Sequence, residues 1–112
     1  MNITPHHIAA VYDMLRAFKP FSGWKLPEAE SVGFHIKPLK DYGEYFYESG
    51  HHIVISNKLT DAVLSLMEVV AHEMIHLRQV ELKRPPNHNK DFRRMAKAVC
   101  REFLWDVKRF IG

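Results

Sequence analysis

An α+β domain is what this sequence predicts, and two contrasting patterns carry the prediction. Apolar residues recur at steps of three and four near both ends and through the middle of the chain, the period of amphipathic helices. Residues 21–57 replace that period with short runs of aromatic and β-branched residues cut by Gly, Pro and Asp. The 112 residues suffice for a single domain spanning 1–112, with a modest core and no room for a second. A composition of 46% hydrophobic and 26% charged residues is that of an ordinary globular chain, neither disordered nor membrane-embedded. Met1–Thr4 offers no basic or apolar leader, and the lone Cys100 cannot form an internal disulfide. Both observations point to a reducing, cytoplasmic setting; the apolar runs are too short to span a bilayer, so no membrane partner is expected, and a monomer is.

The N-terminal helix opens at Thr4-Pro5, a cap followed by proline at the first helical position. Ile8, Val11, Tyr12, Leu15 and Phe18 form its apolar stripe, and Lys19-Pro20 ends it; His6 and His7, at the opening turn, are expected to be solvated. Three short strands follow at about 32–37, 43–48 and 51–56. Their tight connections predict a small three-stranded antiparallel meander. Tyr45 and Tyr47 share one face of the second strand while Glu44 and Phe46 share the other; of His51 and His52, one must point outward.

The central helix is expected over about 24 residues, from a cap at Thr60 with Asp61 in its first turn, to Lys83-Arg84 before Pro85-Pro86. Val63, Leu66, Met67, Val70, Met74 and Leu77 form its core stripe. A C-terminal helix over about Lys90–Ile111, capped by Asn89, repeats Phe92, Met95, Val99, Phe103, Val107 and Phe110 at helical steps.

The chemistry lies in His72-Glu73-Met74-Ile75-His76, within the central helix. With 8 His in the chain, chance yields roughly 0.04 such matches. One turn apart, His72 and His76 offer two imidazoles to a single metal ion, and zinc suits such ligands. Glu73, about 100° round the helix, reaches a metal-bound water without binding the metal, as a general base must. A third protein ligand must come from elsewhere, and the downstream candidates are His88, Glu81, Asp91, Glu102 and Asp106. His88 is favoured because Pro85–Asn89 folds the last helix back and returns its imidazole toward the pair, whereas Glu81 points away along its own helix. For a residue that steadies the oxyanion, the sequence offers Tyr42, Tyr45, Tyr47 and His52 without choosing among them.

Together His72–His76 and, eleven residues later, His88-Asn89-Lys90-Asp91-Phe92 resemble the SprT-like (Spartan-type) zinc metalloproteases. The passage Ile53–Leu59 is similar to the edge strand and loop that lead into that family's active-site helix. The resemblance implies a zincin-like fold around the central HExxH helix. It also implies one zinc ion on His72, His76 and His88, with Glu73 as catalytic base of a peptidase. Asn89 stands where the family usually has glycine, and is expected to tolerate a left-handed turn. No cysteine-rich ribbon or regulatory tail accompanies the segment, so it reads as the catalytic core alone. Other readings of the same residues are an HExxH peptidase of repressor-cleaving type with a carboxylate ligand, or a non-catalytic zinc and nucleic-acid-binding domain.

Charge is unevenly spread. Residues 83–112 hold nine Lys and Arg against three Asp and Glu, while residues 1–82 hold seven against ten, so a +6 tail follows a −3 body. Arg94, Lys97 and Arg101, with Lys108, fall on one face of the last helix. Since well-known members of the resembling family act on proteins at DNA, these cations are candidates for sequence-independent phosphate contact.

Overall fold

The computed structural model describes residues 3–58 and 63–111. Its elements run α1 (Pro5–Arg16), β1 (Val32–Lys37), β2 (Gly43–Tyr47), β3 (His51–Ser56), α2 (Val63–Glu81), α3 (Lys90–Phe103) and α4 (Val107–Ile111), with single 3-10 turns at Phe21–Gly23 and Ala29–Ser31. The α+β class holds. Among the described residues no helix is long and apolar enough to cross a membrane.

Thr4 caps α1 as expected, and His7 completes the box: its backbone N–H donates to Thr4 Oγ1, and its Nδ1 accepts from the Thr4 N–H at 3.0 Å. Ile8, Tyr12 and Leu15 bury the inner face of the helix. Tyr12 donates its hydroxyl to the Pro27 carbonyl at 2.6 Å, tying the loop after α1 to its middle turn.

The three strands lie where expected, but their order corrects the antiparallel meander. The sheet runs β1-β3-β2; β1 pairs parallel with β3, Val32 opposite His51, and only β2 is antiparallel, Gly43 opposite Ile55. The reason is burial. Ile53, Val54 and Ile55 are all buried, so β3 needs cover on both faces and neighbours on both sides, which makes it the central strand. Strand β2 has exposed Glu44 and Tyr47 and takes the edge. The reversal between β2 and β3 uses Ser49 at φ 54° and Gly50 at φ 135°, a backbone that glycine adopts without strain. The faces alternate as the sequence indicates: Tyr45 and Tyr47 lie with His51 on one side, Phe46 with His52 on the other.

Helix α2 runs through the core, burying Leu66, Val70, Met74, Ile75 and Leu77 against α1, the sheet and α3. The expected cap at Thr60 and Asp61 falls outside the described residues. Asn89 caps α3, its Oδ1 accepting from the Phe92 N–H at 3.0 Å. The single C-terminal helix expected over 90–111 is instead two. Leu104 adopts left-handed backbone, φ 61°, and ends α3, and α4 turns back so that Phe110 is buried against α2.

Candidate metal centre

Three imidazoles meet at one point. His72 and His76 project from the same face of α2, and His88 reaches them from the 82–89 connection, so the expected histidine set comes together. His72 Nε2 and His76 Nε2 lie 3.0 and 3.1 Å from His88 Nε2. Phe92 floors the cluster, its ring 4.7–4.9 Å from all three imidazoles.

The outer nitrogens decide what the inner ones present. His72 Nδ1 lies 3.0 Å from the Phe110 carbonyl, which can only accept, so Nδ1 carries the proton and Nε2 a lone pair. His76 Nδ1 likewise faces Gln79 Oε1 at 2.8 Å. Two lone pairs therefore converge on His88 Nε2, which has at most one proton to offer. A cation satisfies all three nitrogens where hydrogen bonding cannot, and three neutral imidazoles with an open side are a donor set that zinc accepts. Burial pushes His76 down to about 4, with the neighbouring His72 and His88 adding to the effect against the Gln79 bond. His72 is pushed down by the same burial, so both stay neutral at physiological pH.

Neither Phe110 nor Gln79 was identified from sequence. The helical period places Phe110 in the core but says nothing of its carbonyl. Gln79 is fully buried, three residues beyond His76 on the same helix, and that spacing was its available signal.

Glu73 is 5% exposed and borders the same cleft, of about 1230 Å³, with His72, His76 and His88. Strand β2 forms one wall, and Gly43 is where it comes closest. A Cβ there would stand 2.7 Å from Val69 Cγ1 and 2.9 Å from Glu73 Oε2. Burial pushes the Glu73 carboxyl up to about 8, Glu44 and Asp41 adding repulsion. The opposite wall is α4, held by Arg109 to Glu68 at 3.2 Å.

The alternative ligands are elsewhere. Glu81 accepts from His51 at 3.1 Å, and Asp91 takes Arg84 and Arg94 at 2.9 and 2.7 Å. Glu102 and Asp106 are exposed. Of the four oxyanion candidates, Tyr42 and Tyr45 border the cleft, though the Tyr45 hydroxyl is 2.6 Å from His51 Nδ1. Tyr47 and His52 do not border it; His52 lies on the outer sheet face, 3.0 Å from His35. Asn89 corrects its expected left-handed turn: φ −78° and ψ −171° are extended backbone, as its capping role requires. Arg94, Lys97 and Arg101 line up on the exposed face of α3, outside the cleft.

The model of the SprT-like family matches residues 14–109. The chain belongs to the SprT-like family. The match takes in the sheet, the HExxH helix and the His88 turn of this SprT-like chain. No curated protein matches the chain closely enough to count as a relative.

Proposed function

We propose that this SprT-like domain is a zinc metalloendopeptidase in which His72, His76 and His88 hold one zinc ion and Glu73 is the general base. The convergence of three Nε2 atoms beside a buried carboxylate, at the foot of an open cleft, carries the reading. Bound there, zinc would supply the Lewis acidity that polarises a peptide carbonyl and acidifies a water. The chain supplies the rest. Glu73 takes the proton of the attacking water and returns it to the departing amine, and low local polarity keeps that carboxylate basic enough to do so. Strand β2, the sheet edge, offers unpaired backbone groups along which an extended peptide can add. DNA-associated proteins are the substrate class the family suggests, and the exposed Lys97 and Arg101 are the cations suited to meet phosphate.

The test pairs two variants. Glu73→Gln should retain zinc while casein cleavage falls by several orders of magnitude, and His88→Ala should lose zinc while staying folded. Parental cleavage by the first removes Glu73 as base; parental zinc content in the second removes His88 as ligand.

A further inference from the structure

Gln79 is fully buried, and its amide is divided between two parts of the metal centre. Its Oε1 faces His76 Nδ1 at 2.8 Å, while its Nε2 donates to the Asn87 carbonyl at 3.0 Å and toward Asn89 Oδ1 at 3.4 Å. Its own backbone carbonyl accepts from the Arg84 N–H at 2.8 Å, at the start of the same connection. An amide without exposure is costly to bury unless its bonds are made, and helix packing alone would be served by leucine.

The orientation of the amide is forced. The Asn87 carbonyl can only accept, so Nε2 must face the connection and Oε1 must face His76. His76 then has to carry its proton on Nδ1, leaving the Nε2 lone pair free to point at His72 and His88. The same amide fastens the backbone just before His88 and the Asn89 side chain just after it. Phe110 does the first of these jobs for His72, but among the described residues no other side chain hydrogen-bonds both a histidine of α2 and the connection that bears His88.

We infer that Gln79 is a positioning residue of the metal centre, one that sets the tautomer of His76 and holds the His88 turn in register with it. The inference rests on the zinc reading above. It assigns Gln79 no contact with substrate or metal.

Zinc affinity measured by chelator competition on the whole chain tests it, for the parent, Gln79→Leu, His88→Ala and the double variant. Gln79→Leu should weaken zinc about 10- to 100-fold. In the His88→Ala background the turn no longer carries a ligand, so the loss from Gln79→Leu should shrink several-fold. Imidazole nitrogen NMR of the metal-free protein should show His76 protonated at Nδ1 in the parent and as a tautomer mixture in Gln79→Leu. If that variant fails to fold, Gln79→Glu keeps volume and the acceptor toward His76 but has no donor for the turn. It should then weaken zinc while His76 keeps its parental tautomer. Parental affinity in the folded variant, or an equal fold-loss with and without His88, overturns the role of Gln79 alone. A parent that takes up no zinc overturns the metal reading and this inference together.

Discussion

Glu73 and His76 stand three residues apart on α2, both buried, and pH acts on them in opposite senses. The Glu73 carboxyl is raised from 4.5 to about 8 in the metal-free protein, so the folded state favours its neutral form. Its stabilising effect is complete below about 4.5, where the unfolded chain is also protonated, and is lost as pH rises through about 8. His76 is lowered from 6.5 to about 4, so its contribution is complete above 6.5 and is lost as pH falls through about 4. Glu73→Gln removes the first effect and leaves the second. In chelator, the variant and the parent should melt alike near pH 5, and the variant should gain steadily toward pH 9, by up to something on the order of 4 kcal/mol. A melting difference that is constant across that range would show that Glu73 is not buried as described. Both residues were legible from the HExxH spacing, because helix geometry alone fixes which side chains share a face. The partners of their far nitrogens were not, since Phe110 offers a backbone carbonyl and Gln79 speaks to a turn eight residues away.

Among the elements, β2 forms a wall of the candidate site and was the least well placed from sequence. Its residues and faces could be read, yet its neighbours could not. Alternation tells which side chains share a face and is silent on which strand lies alongside. The unbroken Ile53-Val54-Ile55 run was the available signal, because a strand apolar on both faces belongs in the middle. The single C-terminal helix failed for a related reason: Leu104 has no helix-breaking chemistry, and the period continues through Val107 and Phe110 on the far side of the break. Gly43 gives β2 its closeness to Glu73. Gly43→Ala should push the strand away from Val69 and Glu73, lowering kcat/KM for a peptide about 10-fold or more while zinc content stays parental. Unchanged kinetics would mean that the strand need not lie so near.

At the scale of the molecule, part of the basic charge lies on a face outside the cleft. The +6 segment from residue 83 onward presents Lys97 and Arg101 on α3 with no ion-pair partner among the described residues, whereas Arg94 already pairs with Asp91. If this face meets phosphate, Lys97→Gln and Arg101→Gln together should weaken binding to a labelled duplex or single strand and flatten the salt dependence by about two units. Arg94→Gln should add less, since its charge is partly answered within the protein. Anisotropy that shows no binding by the parent at about 50 mM salt would leave a peptidase without a nucleic-acid partner. The stripe was visible from helical period, and so was the i, i+3 spacing of Asp91 and Arg94, whereas Arg84 joins Asp91 only when the connection folds.

The sheet order has a consequence for motion. Strand β3 is paired on both sides and β2 on one, so β2 can detach by giving up one ladder and its contacts with α2, while α1, β1 and β3 keep their packing on one another. The wall beside Glu73 is thereby less costly to open locally than the central strand. Amide hydrogen exchange should record this as two classes, with Glu44–Tyr47 exchanging well before Ile53–Ile55. A substrate strand docked on β2 would turn the edge into an interior strand and slow the first class toward the second.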